Sequence, residues 1–192
     1  PNYLKEVKAL CEKHDALLII DEIQAGMGRT GKFFGYEHFG IQPDIVTLAK
    51  GLAGGVPIGA FLSTAKLADT FHAGDHGSTF GGNPLACAGA NAVLTAITTE
   101  HLMDNAAAVG NYLLDQLKTL QQKYPTLITD VRGKGLMVGM ELTKPGRDIV
   151  NDCLTKGLII NCTAGNVLRF VPPLIITNKD VDTLITILNE VL

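Results

Sequence analysis

Three short apolar runs punctuate the first 63 residues, at Ala16–Ile20, Asp44–Leu48 and Ile58–Ser63. Continuous apolar runs of this length are typical of strands that are covered on both faces, as in a parallel sheet. The 23 residues from Asp21 to Pro43 are long enough for the crossover that joins two parallel neighbours. We therefore predict an α/β fold with a mostly parallel sheet in this part of the chain.

Helical periodicity surrounds these strands. Apolar residues at helical spacing predict a helix over residues 4–11, and Asn83-Pro84 predicts a helix start, with Asn as cap and Pro in the first turn. The Ala-rich segment continues that helix to about Thr98, and a second helix follows over His101–Lys123, before Pro125.

The pattern changes after residue 100. Strands are predicted at Val131–Leu142, Leu158–Asn161 and Val167–Val171, with helices near residues 147–156 and over Asn178–Leu192. This mixture indicates a smaller α+β domain. We therefore predict two domains, residues 1–100 and 101–192.

Composition excludes several classes of protein. A net charge of -3 and a pI near 5.9 leave no basic footprint for nucleic acid. The four cysteines are far apart and lack metal-ligand spacing, so neither zinc nor a disulfide is predicted. No apolar run reaches the roughly 20 residues that span a bilayer. We expect a cytoplasmic protein, and because the sequence opens at Pro1 without an initiator Met, we expect it to continue a longer chain.

Two charged residues follow neighbouring strands of the predicted sheet. Asp21 comes directly after the first strand, and Lys50 comes two residues after the run that ends at Leu48. Ligands of parallel α/β sheets bind beyond the carboxyl ends of the strands. A lysine and a carboxylate there suit pyridoxal 5'-phosphate (PLP), whose aldehyde bonds to a lysine and whose ring nitrogen needs an anionic partner. The two residues alone are explained equally well without a cofactor, with Asp21 capping the segment that follows it and Lys50 as a solvated loop residue.

The segment His76–Pro84, HGSTFGGNP, combines hydroxyl groups with glycines before a helix start. Ser78, Thr79 and the Gly81-Gly82 pair there suit a phosphate oxygen. An ordinary glycine-rich turn with a helix cap explains the same spacing.

A nucleotide site is the competing interpretation. Gly26–Lys32 fits G-x-x-x-x-G-K, and the run that ends in Asp21-Glu22 resembles a Walker B strand. A phosphate loop needs Ser or Thr after its Lys and a strand directly before it, whereas Phe33 follows Lys32 and no strand intervenes. These departures disfavour an ATPase.

Three separated segments resemble the class III, or ornithine-type, PLP-dependent aminotransferases. They are LLIIDEIQAGMGRTGKFFGYEHFGIQPDIVTLAKGLAGGVPIGAF, GDHGSTFGGNPLACAGA and NCTAGNVLRFVPPLII. The last two are most similar to the acetylornithine branch, and the resemblance covers essentially the whole chain. It implies PLP transferase fold type I, with the C-terminal part of a large PLP-binding domain followed by a small C-terminal domain.

The resemblance assigns cofactor roles to four residues near the first two strands. Lys50 would be the Schiff-base lysine and proton shuttle, and Asp21 would pair with the pyridinium nitrogen. Ile23 would pack on the ring, and Gln24 would reach the ring hydroxyl.

It also implies a shared site and a substrate anchor. Thr79 would bind the cofactor phosphate of the neighbouring subunit in a homodimer, with Ser78 beside it as a further cofactor-binding residue. Arg169 would hold the α-carboxylate of the amino donor and of 2-oxoglutarate; the alternative for Arg169 is a surface ion pair beside Pro172-Pro173.

The implied reaction moves the δ-amino group of N2-acetyl-L-ornithine to 2-oxoglutarate. Ornithine, succinylornithine and succinyldiaminopimelate are alternative donors, and a catalytically silent remnant is an alternative of another class. The family's chain is about twice as long, so the resemblance implies a C-terminal half that is inactive alone.

Overall fold

The computed structural model describes residues 2–192, which form two compact units. The first unit contains the residues up to Gly28 together with Lys32–His101. The second contains Leu102–Leu192 and a short piece from earlier in the chain, Arg29–Gly31.

The first unit is a small mixed sheet with two helices. Its elements are α1 (Tyr3–Lys13), β1 (Ile19–Asp21), β2 (Ile45–Leu48), β3 (Ala60–Ser63) and α2 (Pro84–Thr99). The strand order is β1-β2-β3, and β1 runs parallel to β2, as the length of the connection predicted. That connection contains turns and a 3-10 helix at Gly35–Phe39 instead of an α-helix.

The parallel prediction is wrong for the third strand. β3 pairs with β2 in the antiparallel sense, with Leu48 opposite Ala60. Only residues 49–59 connect the two strands, which is shorter than the dozen or more residues of a parallel crossover. The chain therefore turns back on itself at Lys50 and the glycines after it.

The first strand also begins later than its apolar run suggested. Leu18 already contacts the loop before β2, because its carbonyl accepts the N–H groups of Asp44 (2.9 Å) and Ile45 (3.2 Å). Its own N–H donates to Asp44 Oδ2 at 2.9 Å. The regular ladder starts only at Ile19, opposite Ile45.

The second unit packs helices on an antiparallel sheet of order β4-β5-β7-β6. Its elements are α3 (Leu102–Lys123), β4 (Ile128–Lys134), β5 (Met137–Leu142), α4 (Arg147–Thr155), β6 (Asn161–Thr163), β7 (Val167–Phe170) and α5 (Asn178–Val191). All five predicted helices of the chain are present, with ends within two residues of the predicted ones.

Two strand predictions in this unit are wrong. The single strand over Val131–Leu142 is a hairpin, because Gly135 takes a φ of +53° and reverses the chain before β5. The strand predicted at Leu158–Asn161 begins three residues later, at Asn161. Leu158 N–H still closes the end of α4 on Cys153 O, and pairing with β7 begins only where Asn161 lies opposite Arg169.

Period-two alternation on β7 determines which face of the sheet each side chain occupies. Leu168 and Phe170 are buried in the core, which α3 and α5 complete with Leu113, Leu117 and Leu188. Arg169 lies between two core positions and therefore belongs to the opposite face of the sheet.

Candidate active site

Asp21 and the strand that leads to Lys50 lie side by side. Asp21 ends β1 opposite Thr47 of the parallel strand β2, and Lys50 follows the end of β2 by two residues. Asp21 Oδ1 accepts the N–H of Ile23 at 2.8 Å. Within residues 2–192 its other carboxylate oxygen has no hydrogen-bond partner. The local turn thus orients the carboxylate and leaves one oxygen available to a ligand.

Lys50 sits at an unusual point of the backbone. Its φ is +45°, a region that residues other than glycine rarely adopt. Leu52 N–H donates to Ala49 O at 3.0 Å, and the side chains of Leu52 and Ala53 are buried, so the turn is held from both sides. The Lys50 side chain is exposed, and its amine makes no ion pair or hydrogen bond with the described part of the chain.

Lys50 lines an open cavity of about 1200 Å³. Another wall comes from the segment predicted to bind phosphate, including Ser78, Gly81 and Asn83. Asn83 organises that wall, because its Oδ1 accepts Ala86 N–H at 2.9 Å and caps α2, while its Nδ2 donates to Phe80 O at 2.9 Å. The structure therefore brings Lys50 and Ser78 to one cavity, beside the N-terminus of a 16-residue helix.

This set of groups fits PLP chemically. The aldehyde of PLP matches the accessible amine of Lys50, and its ring nitrogen matches the carboxylate at the carboxyl end of the neighbouring strand. Its phosphate matches the hydroxyl of Ser78 near a helix N-terminus. Among the described residues no group of three His, Cys, Asp or Glu side chains could hold a metal ion.

Four other predicted site residues of this unit, Asp21 among them, do not line the cavity. Ile23 is half-buried and Gln24 exposed, both in the turns that follow β1. Thr79 is exposed next to Ser78.

The apparent phosphate loop has a different structure. Residues 23–30 form successive turns, with neither a strand directly before the Gly26–Lys32 segment nor an α-helix after it. Three of its residues, Arg29–Gly31, belong to the second unit. The match to the nucleotide motif is therefore accidental.

Glu22 supports the framework of the site, although sequence reasoning gave it no cofactor or substrate role. It is only 2% exposed, and its carboxylate accepts the N–H groups of Gly35 and Tyr36, both at 2.9 Å. Burial, and then the nearby carboxylates of Glu37 and Glu22, raise the pKa of Tyr36. The carboxylate of Asp21 is thus exposed at the carboxyl end of β1, whereas that of Glu22 holds the following loop by hydrogen bonds.

Arg169 lies in the second unit, half-buried on β7. It lines a cavity of about 440 Å³ whose other walls are mostly apolar, among them Leu158, Phe170 and Pro172. A guanidinium at the wall of an apolar cavity can hold a carboxylate away from bulk water.

Comparison with known proteins identifies relatives over the whole chain. The family model for aminotransferase class-III matches residues 1–192. The acetylornithine aminotransferase of Caldanaerobacter subterraneus subsp. tengcongensis is 51% identical over 193 residues, covering 100% of this chain and 49% of that protein.

Two solved structures share the fold. An ornithine aminotransferase from Toxoplasma gondii aligns with a TM-score of 0.94 and 38% identity, over 100% of this chain and 46% of that one. An acetylornithine aminotransferase from Elizabethkingia anophelis aligns with a TM-score of 0.93 and 38% identity, over 99% of this chain and 49% of that one. The chain spans about half the length of these relatives. No helix within residues 2–192 has the length and apolar character needed to cross a membrane.

Proposed function

The chain belongs to the class III aminotransferases, which are PLP-dependent enzymes, and on that premise we propose that it forms part of an acetylornithine aminotransferase. The reaction would transfer the δ-amino group of N2-acetyl-L-ornithine to 2-oxoglutarate. Its products would be N-acetyl-L-glutamate 5-semialdehyde and L-glutamate. The donor is inferred from the names of the curated relatives, which are 43 to 51% identical.

We assign the two units to the two domains of PLP transferase fold type I. The first unit would be the C-terminal part of the large, PLP-binding domain, and the second the small C-terminal domain. Because the chain spans about half the length of its relatives, we propose that it is inactive without the remaining half.

The cofactor would be held mainly by Lys50 and Asp21. Bound PLP would supply an aldehyde carbon that takes up the amino group and a ring that accepts electron density when the substrate loses a proton. Lys50 Nζ would hold the aldehyde end and, when released from it, would take the proton from the substrate carbon that bears the transferred nitrogen and later return it. The free oxygen of Asp21 would keep a proton on the ring nitrogen. Ile23 would pack on the ring, and Gln24 would contact its hydroxyl.

The phosphate would be bound at the glycine-rich wall of the Lys50 cavity. Ser78, which lines that cavity, would donate its hydroxyl to the phosphate of its own subunit. Thr79 is exposed beside it, and we propose that it binds the phosphate of a neighbouring subunit, which makes the protein a homodimer with shared sites.

Arg169 would hold the α-carboxylate of both substrates through two parallel hydrogen bonds, a geometry that a lysine cannot reproduce. Its position on the face of β7 opposite the core, at the wall of an apolar cavity, supports this role. Because both half-reactions present an α-carboxylate, both would depend on the same arginine.

The observation that carries the proposal is that Asp21 and Lys50 lie at the carboxyl ends of two neighbouring parallel strands, and that Lys50 lines a cavity with a glycine-rich wall. We would test it in the protein at the full length of its relatives. Lys50→Ala should abolish covalent attachment of PLP and reduce turnover by several orders of magnitude. PLP that borohydride still fixes to the protein in that variant would overturn the assignment.

Arg169→Lys tests the substrate class. It should leave cofactor absorbance intact and lower kcat/KM for both N2-acetylornithine and 2-oxoglutarate by a transition-state cost of about 2 to 4 kcal/mol. A loss confined to one half-reaction would show that Arg169 is not a shared anchor.

Ornithine is the second candidate donor, because several solved structures of the same fold are ornithine aminotransferases, at 36 to 38% identity. Comparing kcat/KM for ornithine and for N2-acetylornithine under identical conditions decides between the two. A higher value for ornithine would replace the proposed donor and leave the cofactor chemistry unchanged.

A further inference from the structure

Arg29 makes an unusual set of contacts in the second unit. Its Nη1 donates to the carbonyl oxygen of Leu136 at 3.3 Å and also to that of Pro172. Its own carbonyl accepts the N–H of Leu136 at 3.0 Å. One residue therefore holds two separate points of the main chain through side chain and backbone together.

These two points lie at one end of two neighbouring strands. Leu136 directly precedes β5, and Pro172 follows the last residue of β7 by two. The strands are paired at this end, with Val138 opposite Phe170 and Gly139 opposite Arg169. Arg29 thus connects the beginning of β5 to the chain that leaves β7 just after Arg169.

The charge of Arg29 has no carboxylate partner among the residues that the structure describes. Within residues 2–192 its hydrogen bonds go to carbonyl oxygens, and no ion pair involves it. Burial, and after it the positive charge of Arg169, lower the pKa of Arg29. Two guanidinium groups therefore repel each other here, and an anion bound by Arg169 would relieve that repulsion.

We propose that Arg29 is a positioning residue for the substrate carboxylate: it fixes the strand ends beside Arg169 and adds a second positive charge to the carboxylate site. This inference rests on the proposed function, because it takes Arg169 as the carboxylate anchor. It gives a role in recognition to a segment in which the sequence predicted no site residue.

A binding measurement separates recognition from turnover. The probe is glutarate, a dicarboxylate without an amino group, titrated by calorimetry into the full-length protein with PLP bound. Arg29→Met should raise the dissociation constant of glutarate about tenfold or more, the effect expected for loss of an interaction with a charged group. The dissociation constant of PLP should change less than about twofold, because the side-chain hydrogen bonds of Arg29 go to Leu136 and Pro172, and neither is a proposed cofactor residue.

The matched control is Arg147→Met, which removes one positive charge from the exposed start of α4 in the same unit. Its dissociation constant for glutarate should equal that of the wild type. Arg29→Lys keeps the positive charge but cannot hydrogen-bond both carbonyl oxygens. Its dissociation constant for glutarate should rise about threefold, to a value between those of wild type and Arg29→Met.

Wild-type binding of glutarate by Arg29→Met would overturn the inference. A roughly tenfold loss of glutarate affinity in both Arg29→Met and Arg147→Met would also overturn it, because the effect would then reflect the net charge of the protein. If Arg29→Met does not fold, Arg29→Lys decides, and wild-type affinity in that variant counts against the proposal. An Arg169→Met variant tests the premise that Arg169 holds the carboxylate. Unchanged glutarate binding by Arg169→Met would refute that premise. Weaker binding by Arg169→Met together with unchanged binding by Arg29→Met would refute only the inference about Arg29.

Discussion

Asp44 offers a quantitative test of how the first unit is held together. It is 4% exposed, yet it is ionised between two lysines. Its Oδ2 accepts Leu18 N–H at 2.9 Å and lies 3.8 Å from Lys8 Nζ, while Oδ1 is paired with Lys66. Its main chain donates to Leu18 O and accepts Thr64 N–H. One residue therefore joins the beginnings of β1 and β2 to the end of β3.

We expect Asp44→Ala to lower the free energy of local opening by about 3 kcal/mol. About 2 kcal/mol comes from the charged hydrogen bond, because Leu18 N–H is left buried without an acceptor. The ion pairs add only about 0.5 kcal/mol each, because the Lys66 side chain is 57% exposed and the Lys8 nitrogen is distant from the carboxylate. Asp44→Asn can keep the bond to Leu18, so its cost should be about 1 kcal/mol.

The effect should depend on pH. The hydrogen bond from Leu18, and after it that from Lys66, lower the pKa of Asp44 in the folded protein. The charge therefore stabilises the fold at any pH above the unfolded value of about 3.9, and this contribution is lost as pH falls through the lower folded value. Wild type and Asp44→Asn should differ by a constant amount from pH 7 to about pH 5 and converge at lower pH.

Amide hydrogen exchange at Leu18 and Ile45 measures this opening directly, after correction for the intrinsic rate at each pH. Asp69→Asn, an exposed substitution of the same charge in the same unit, is the control and should leave both amides unchanged. A loss below about 1 kcal/mol in Asp44→Ala would show that Asp44 does not join the strands. A difference between wild type and Asp44→Asn that does not shrink as pH falls below about 3.9 would show that its charge is not the cause.

Three further outcomes follow from particular contacts. Asn83→Ala should cost about 1 kcal/mol in thermal or chemical unfolding, because the cap on α2 is lost; no change would mean that water replaces the cap. Gly135→Ala should cost about 3 kcal/mol or more in the same assay, because its Cβ would lie 2.5 Å from Thr30 C at a φ of +53°. In mixed dimers of Thr79→Ala and Lys50→Ala subunits, one site would carry both changes and the other neither, so activity near that of one wild-type site is expected; no recovery after proven exchange would place Thr79 in its own subunit's site.

Features of the fold that depend on residues close together in the sequence could be predicted from it. The five helices follow from apolar spacing and from signals such as Asn83-Pro84, because helix formation is decided within a few turns of chain. The parallel pairing of β1 and β2 follows from the length of their connection. The same reasoning applied to the short connection before β3 would have predicted its antiparallel direction.

Features that depend on tertiary contacts could not be predicted from the sequence. Nothing in the pair Asp21-Glu22 tells which carboxylate is buried, because that depends on the N–H groups of Gly35 and Tyr36, more than ten residues later. Gly135 could equally interrupt a strand or reverse it, so one strand was predicted where a hairpin forms. Without the family resemblance, Arg169 could be either a surface ion pair or a carboxylate anchor, because only the burial of Leu168 and Phe170 shows which face of β7 it occupies.

The membership of Arg29–Gly31 in the second unit affects any attempt to divide this protein. A single cut between His101 and Leu102 would remove from the second unit Arg29 and Thr30, whose main chain lies so close to Gly135 that a Cβ added there would be 2.5 Å from Thr30 C. The second unit is therefore discontinuous in the gene, and no contiguous stretch of coding sequence shorter than residues 29–192 carries all of it. Recombination that exchanges the last 91 residues between relatives must also match this tripeptide to the new hairpin, so the two stretches should be inherited together.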